Sequence, residues 1–599
     1  MPQNRLEYWL VIYLNMPWID GGMYMYKKEA AKWIQSEFIN DNFKNAINDM
    51  NDKELEECFY KNLEFGTGGL RGKMGVGSNR MNYVTIGKAT QGLANYLVNK
   101  YDDNKIKFNI AYDSRNNSKY FSEVVACVLC GNGIEVNLFD DLRPTPELSF
   151  SIPQCGAKGG IVITASHNPK EYNGYKVYNE YGGQITDDAA KEIIESVNRV
   201  ENFEEIKSIP YEEAKIRGLL NIVGEDIDKQ YMESVKNLII RRDMINENAD
   251  KLKVLYTPIH GSGNVPVRRV LHELGFKNVV VVKEQENPNG DFPTVPYPNP
   301  EDPRAFELAL KLAGEIDSDI IIGTDPDCDR IGVLCKDGEE YFVFNGNMIG
   351  ILISDYLLSA MKDKNIMPEN GEIIKTIVTT DMIKRIAEDF GCSISDVLTG
   401  FKYIGEKIHK FEESGDKKFI FGLEESFGYL SGDFVKDKDA VIASTIICEM
   451  ALYYKLKNKS LKDRLFDLYE KYGYFKEDLI SITLEGKEGA EKIATAIERL
   501  REMKNISFKG FNLIAIQDYN TSECIICEEN RVERINLPKS NVLKFMFDDD
   551  SWFVVRPSGT EPKIKIYLST NGKNQNELNE KKELLKKQVE ELIEVILGV

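Results

Sequence analysis

"GGIVITASHNPKEYNGYK", residues 159–176, starts as an unbroken apolar run and ends in a polar loop. An apolar stretch without polar alternation predicts a buried strand, here ending at Ser166. The serine lies among small residues, with His167 beside it and Lys176 ten positions on. A nucleophile, a helix cap and a plain turn all fit that local pattern.

The same texture recurs on both sides. "FNIAYDS" (108–114) predicts a strand, "YFSEVVACVLCGNG" a helix and "IEVNLFD" a strand. The pattern restarts with "KLKVLYTP" (251–258), "VPVRRVLHELG", "NVVVVKE", "RAFELALKLAGEI" and "SDIIIGTDPD". A third round holds "EIIKTIVTT", "DMIKRIAEDFG", "KKFIFGLEES" and "DAVIASTIICEMALYYKLK". Continuous apolar strands alternating with helices predict α/β layers with mainly parallel sheets. In such sheets ligands gather at the carboxyl ends of strands. After about residue 475 the texture changes. "DDSWFVVRPSGTEPKIKIYLST" reads as two strands around a turn, followed by a Lys/Glu-rich helix. Leu585, Val589, Leu592 and Ile596 recur there at helical spacing, too briefly for a coiled coil, and predict a core stripe.

A chain of 599 residues suggests roughly four domains. Hydrophobic residues at 42% and charged residues at 29% are an ordinary soluble composition. The net charge of -20 argues against nucleic acid as a partner, because phosphate backbones call for basic surfaces. It leaves room for one basic pocket for a phosphorylated ligand. The ten cysteines form no dense framework, and the two C-x-x-C pairs, Cys127/Cys130 and Cys524/Cys527, lie far apart. They read as reduced thiols of a cytoplasmic protein. "LEYWLVIYLNMPWI" near the start is apolar behind Arg5, but it lacks an A-x-A cleavage site and a full membrane-spanning run. We expect no membrane association, and we expect residues 1–24 to be an extension that is not native, with translation starting at or near Met25. Charge-rich helical sequence begins there, at "MYKKEAAKWIQSEFI".

Three of the apolar strands run into polar loops, "TASHNP", "TDPDCDR" and "LEESFG", one in each round. A fourth loop, "RPSGTEP", lies in the C-terminal segment. "DPDCDR" sets Asp325, Asp327 and Asp329 at alternate positions, a hard-oxygen set suited to Mg²⁺. An EF-hand is excluded by Arg330 at the sixth position and Lys336 at the twelfth. As a solvated acidic turn the three carboxylates would repel one another without a cation. "RPSGTEPK" offers Arg556, Ser558, Thr560 and backbone N–H groups around Gly559, able to wrap a phosphate dianion. The same residues also make an ordinary hairpin turn. "LEESFG" carries Glu424, Glu425 and Ser426, acceptors that can grip sugar hydroxyls, and it can equally be a helix cap. For Ser166 a hydrolase reading is weak. The nucleophile elbow G-x-S-x-G is absent, only four histidines exist, and His167 follows the serine directly, which predicts poor geometry for a base.

Together these loops resemble the α-D-phosphohexomutase superfamily in motif, order and spacing, from about "FGTGGLRGKMG" (65–75) to the C-terminus. "TASHNP" looks like its phosphoserine loop, "DPDCDR" its metal loop, "EESFG" its sugar-binding loop and "RPSGTEPK" its phosphate-binding loop. "GTGGLRGKMGVGSNRMN", "YDSR" (112–115), "TPIHGSG" (257–263), "TGFKYIG" (399–405) and "GDFVKDKDA" (432–440) resemble the phosphoglucomutase branch that includes phosphopentomutase-like relatives. The metal loop departs from the pattern at Cys328, where alanine is usual.

The resemblance implies three similar mixed α/β domains and a smaller C-terminal α+β domain around a central cleft. The expected bounds are 25–225, 226–338, 339–472 and 473–599. It implies a reversible interconversion of glucose 1-phosphate and glucose 6-phosphate through phosphoserine and a sugar bisphosphate. Ser166 would carry the phosphoryl group, with Lys176 as acid/base and Arg71 and His167 in the catalytic set. Mg²⁺ would be held by Asp325, Asp327, Asp329 and Ser166. Arg115, Arg330, Lys402, Glu424, Ser426, Arg556, Ser558, Gly559 and Thr560 would bind substrate, and glucose 1,6-bisphosphate would restore phosphoserine. Phosphomannomutase, phosphopentomutase and bisphosphate synthase remain alternatives, as does a non-catalytic sugar-phosphate sensor. Retention of Ser166 with all three aspartates disfavours the sensor.

Overall fold

The apolar run that opens at Gly159 is a strand, Gly159–Ile163, in which every residue is buried. It ends three residues short of Ser166, although the Thr164 amide still donates to the Gly174 carbonyl at 3.1 Å, and Ser166 itself leaves the extended region with a φ of 50°. The structure is a computed structural model that describes residues 25–66, 68–101, 105–484, 486–503, 506–529, 531–558 and 563–598. The expected N-terminal extension, residues 1–24, lies outside the described residues, as do Gly559 and Thr560.

Four sheets organise the described chain. The first has the order Gly69–Lys73, Tyr172–Asn179, Gly159–Ile163, Lys107–Tyr112, Glu135–Phe139, Leu220–Val223. Its last four strands pair in parallel, while Tyr172–Asn179 returns antiparallel to Gly159–Ile163. The second sheet repeats the device: Ile320–Thr324 pairs in parallel with Val254–Thr257, and Ile331–Asp337 returns antiparallel to it. The third does so again, with Lys418–Glu424 parallel to Gly371–Thr376 and Gly428–Ser431 returning antiparallel. The fourth sheet has seven strands, all antiparallel. Three mixed α/β units and an α+β unit are thus the architecture that the resemblance implies.

Each of the first three polar loops therefore sits between a parallel strand and its antiparallel return. Each also carries one non-glycine residue at positive φ: Ser166 at 50°, Cys328 at 51° and Phe427 at 62°. The left-handed region costs such residues about 1–2 kcal/mol, so each loop needs support from its surroundings. "LEESFG" is the tip of a hairpin and not a helix cap.

The first unit has its own core, centred on Ile110, Ile161, Ile163 and Tyr175. Helices Met25–Gln35, Asp41–Asp49 and Asp52–Phe59 precede it and pack as a satellite, with Trp33 edge-on to Phe59 and Phe203. A second core runs continuously through the second and third units and reaches Phe150 and Tyr231. The fourth unit buries Leu585, Val589 and Ile596 with Phe545 and Phe553, so the C-terminal stripe is core. It docks on the third unit through Ile377, Val378, Trp552 and Tyr567, where the buried Lys544 ammonium donates to the Ile377 carbonyl at 2.8 Å. All ten cysteines are free thiols, and burial pushes Cys127 and Cys130 up to about 11 and about 12. No described helix is long and apolar enough to cross a membrane.

Candidate active site

Ser166 is held from below by the "YDSR" segment. Its N–H donates to Thr164 Oγ1 at 2.8 Å, and that hydroxyl donates to Asp113 Oδ2 at 2.6 Å. Asp113 Oδ1 accepts from the Arg115 amide at 2.9 Å and from Ser118 Oγ at 2.7 Å. The Arg115 guanidinium donates to the carbonyls of Ser166, Asn168, Pro169 and Tyr172. Its side chain is 0% exposed. Arg115 was expected to bind substrate. Both of its terminal nitrogens are instead taken by backbone carbonyls of the serine loop, which leaves Nε buried without a hydrogen-bond partner.

The return strand brings Lys176 back opposite Val162. Gly174 lets that strand pass closely, since a Cβ there would stand 2.4 Å from the Thr164 carbonyl. Lys176 Nζ reaches Asp327 Oδ2 at 2.7 Å and Asp329 Oδ2 at 3.4 Å. Burial lowers the pKa of this lysine, but Asp327 and Asp329 outweigh it and hold it above the usual value.

The three metal-loop carboxylates are buried, with oxygens within 4.8 Å of one another. Ser166 Oγ donates to Asp325 Oδ2 at 2.7 Å, so the loops of the first two units meet at the serine oxygen. Asp325 Oδ1 accepts from the amides of Asp329 and Arg330 at 3.1 and 3.0 Å. Burial and its two neighbours push Asp325 far above the ordinary carboxylate range. For Asp327 burial also pushes upward, but the Lys176 ammonium prevails and holds it below that range. Asp327 Oδ1 and Asp329 Oδ1 are buried with no hydrogen-bond partner. Buried carboxylate oxygens without a hydrogen-bond partner, in an all-oxygen set, are what a hard cation satisfies, so these residues fit a metal.

His167 Nδ1 stands 3.2 Å from Ser166 Oγ. The expectation of poor geometry is thus corrected: the left-handed backbone at Ser166 turns the adjacent side chains toward each other. Burial, with Arg330 and Arg71 nearby, keeps His167 neutral, its pKa well below the usual value. Arg71, on the edge strand Gly69–Lys73, donates to Asn168 Oδ1 at 3.3 Å. Arg330 pairs with Glu301.

The third unit's hairpin is hydrogen-bonded to the metal loop, since the Ile331 amide donates to the Phe427 carbonyl at 3.2 Å. Glu424 is buried beneath it, and burial raises its carboxyl against the pull of Lys438 and Arg330. Ser426 is half-buried at the tip. Lys402 Nζ donates to Asp187 Oδ1 of the first unit at 2.8 Å. In the fourth unit Arg556 lies one residue before the end of the strand Trp552–Pro557, and burial raises the Tyr567 hydroxyl, which feels the charges of Glu425, Arg556 and Glu424. The Ser558 amide donates to the Lys563 carbonyl at 2.7 Å, which closes the base of that loop.

Glu425, singled out in the sequence with Glu424 and Ser426, accepts from Thr376 Oγ1 at 3.1 Å. Two functional-looking residues escaped the sequence reading. Lys438, inside "GDFVKDKDA", reaches Asp329 Oδ2 at 3.0 Å. Thr145 donates to Asp327 Oδ2 at 2.9 Å. Only Lys438 carried a signal, as a lysine between two aspartates. "TPIHGSG" lies behind the metal loop, where Ser262 donates through its amide and hydroxyl to the Pro326 carbonyl at 2.8 and 2.9 Å.

A serine oxygen, a buried carboxylate triad, a charged lysine and a neutral histidine suit phosphoryl transfer, which needs positioning and charge stabilisation. Solved structures with this fold include parafusin, a phosphoglucomutase of Paramecium in its open form. It has a TM-score of 0.68 at 18% identity, covering 90% of this chain and 96% of that one. A phosphoglucomutase/phosphomannomutase family protein of Burkholderia thailandensis gives 0.63 at 17%, covering 88% and 97%. Curated relatives are nearer in sequence. Phosphoglucomutase of Staphylococcus saprophyticus is 36% identical, over 92% of this chain and 98% of its own. That of Staphylococcus aureus strain USA300 is 37% identical, over 92% and 97%. Models of phosphoglucomutase/phosphomannomutase alpha/beta/alpha domains I, II and III match residues 62–204, 229–338 and 345–472, and that of the C-terminal domain matches 482–586. With all four domains matched in order, the chain belongs to the phosphoglucomutase/phosphomannomutase family.

Proposed function

We infer that the chain is a phosphoglucomutase, interconverting glucose 1-phosphate and glucose 6-phosphate through phosphoserine at Ser166 and a bisphosphate intermediate. The carrying observation is the 2.7 Å bond from Ser166 Oγ to Asp325, which sets a serine oxygen at the edge of a buried carboxylate triad. Relatives named phosphoglucomutase over 92% of the chain support the same reading.

In the forward step the bond from phosphorus to Ser166 Oγ breaks while a sugar hydroxyl oxygen bonds to phosphorus. The hydroxyl proton ends on Ser166 Oγ, and Lys176 and His167 are the groups disposed to carry it. The bisphosphate then reorients, and its other phosphoryl group returns to Ser166 by the reverse exchange. Mg²⁺ held by Asp325, Asp327, Asp329 and the Ser166 oxygen would neutralise charge growing on the transferring group. Glu424 and Ser426 accept from sugar hydroxyls. Lys402, Arg330, Arg556, Ser558, Gly559 and Thr560 hold the distal phosphate, with Arg71 at the cleft edge. Arg115 acts on the serine loop and not on substrate. Glucose 1,6-bisphosphate restores phosphoserine when an intermediate escapes. The units are taken as residues 25–225, 226–338, 339–472 and 473–599, and the reduced thiols fit a cytoplasmic location.

Intact-mass analysis tests this directly. Purified protein should carry a fraction heavier by one phosphate, mapped to Ser166, and Ser166→Ala should lose nearly all mutase activity while still binding glucose 1-phosphate. Turnover at the wild-type rate in that variant would overturn the reading.

A further inference from the structure

The metal loop belongs to the second unit, yet its central carboxylate is clamped by the first. Thr145 Oγ1 donates to Asp327 Oδ2 at 2.9 Å, across 182 residues of sequence. The Thr145 amide donates to the Asp327 carbonyl, also at 2.9 Å. One residue therefore grips Asp327 at both backbone and side chain. Thr145 is 0% exposed, so it touches no substrate.

The chain around Thr145 is built to stay still. Thr145 opens the helix Thr145–Gln154, between Pro144 as cap and Pro146 in the first turn. Both prolines restrict the backbone there. The preceding Arg143 is locked by two bonds to Asp228, at 2.9 and 3.0 Å.

The consequence is a choice between two oxygens. A carboxylate oxygen has about two lone-pair sites. Asp327 Oδ2 uses both, one for Thr145 Oγ1 and one for Lys176 Nζ at 2.7 Å. Asp327 Oδ1 is left buried and without a partner. We propose that Thr145 is a positioning residue for the metal site, which fixes the Asp327 carboxylate so that Oδ1 alone faces the cation. Without the hydroxyl, Oδ2 has an open site and the carboxylate is free to swing toward Lys176. The hydroxyl also ties the geometry of the triad to the unit that carries Ser166.

The proposal rests on the metal reading of Asp325, Asp327 and Asp329, and the experiment separates the two. Mn²⁺ binding to the full-length protein, without substrate, is measured by calorimetry or electron paramagnetic resonance for the wild type, Asp327→Asn, Thr145→Val, Thr145→Ala and Thr145→Ser. Both hydroxyl-free variants should weaken Mn²⁺ about 10- to 100-fold, the usual cost of losing a group that orients a ligand. Thr145→Ser should stay within about threefold, and the KM for glucose 1-phosphate at saturating metal should not move in either class. If the wild type binds no Mn²⁺, or Asp327→Asn binds as well as the wild type, the metal reading itself fails. If Asp327→Asn loses Mn²⁺ while Thr145→Val and Thr145→Ala keep it, the Thr145 proposal alone fails. Equal loss in Thr145→Ser would assign the effect to packing of the side chain and would likewise overturn it. Should Thr145→Val not fold, the contrast between Thr145→Ala and Thr145→Ser decides.

Discussion

Lys402 and Asp187 meet across the cleft: the ammonium on the third unit donates at 2.8 Å to a carboxylate on the first. Tyr403 OH donates to the other oxygen of the same carboxylate at 2.9 Å. Both donors lie in the first turn of the helix Phe401–Ser414, whose N-terminus favours an anion. The Asp187 carboxylate is thus an internal anion bound where a lysine proposed to hold substrate phosphate presents its charge.

An internal anion of this kind competes with the substrate. Asp187→Asn should therefore lower the KM for glucose 1-phosphate about two- to fivefold, the range set by a partly exposed ion pair, with kcat little changed. Steady-state kinetics at fixed ionic strength checks it. A raised KM would mean that Asp187 holds Lys402 in its working position.

Glu425 sets a pH dependence. Burial lifts its carboxyl to about 7, and the neighbouring Glu424 adds to the rise. Between the ordinary glutamate value of 4.5 and about 7 the folded chain keeps a proton that the unfolded chain has released. Stability from this group is therefore complete below about 4.5 and is lost as pH rises through about 7. Denaturant unfolding should show the wild type losing stability relative to Glu425→Gln across that window. In kcat/KM, an ionised acceptor for sugar hydroxyls should give activity rising through about 7, an inflection absent from Glu425→Gln. Parallel profiles for the two proteins would remove Glu425 from the site.

Ser426 tests sugar choice. If its hydroxyl binds the sugar, Ser426→Ala should cost glucose phosphates about 1–2 kcal/mol in kcat/KM. Pentose phosphates, with a different hydroxyl array, should lose less. Equal losses would mean that Ser426 supports the hairpin without reading the ligand.

The layers and the loops were legible because they are local. Runs such as "DIIIG" announce buried strands, and an aspartate at alternate positions announces oxygen ligands wherever the chain goes. The supports were not legible, because they are distant pairs. Nothing near Thr145 points to Asp327, 182 residues away, and nothing near Lys402 points to Asp187, 215 residues away. Positive φ at Ser166, Cys328 and Phe427 also left no mark, since no glycine announces it. At Ser166 that backbone feature accompanies one difference from the sequence reading, the approach of His167 to its hydroxyl.

Arg556 separates a mutase from a phosphatase. A mutase must hold the non-reacting phosphate in both orientations of the sugar, and a phosphatase has no such need. Arg556 stands opposite Lys565 in the hairpin of the fourth unit, beside Tyr567 and within the field that Glu425 and Glu424 share. Losing a charge-assisted hydrogen bond costs about 1.5–3 kcal/mol, so Arg556→Ala should slow glucose 1-phosphate and glucose 6-phosphate alike by about 10- to 100-fold. Weaker grip on the distal phosphate should also raise the share of bisphosphate released before it reorients, read by adding labelled glucose 1-phosphate and trapping the free bisphosphate. Free phosphate should stay a minor product in wild type and variant, because a mutase must keep water from phosphoserine while the intermediate turns. A loss confined to one direction would show that Arg556 serves a single binding mode, and free phosphate as the main wild-type product would make the enzyme a phosphatase.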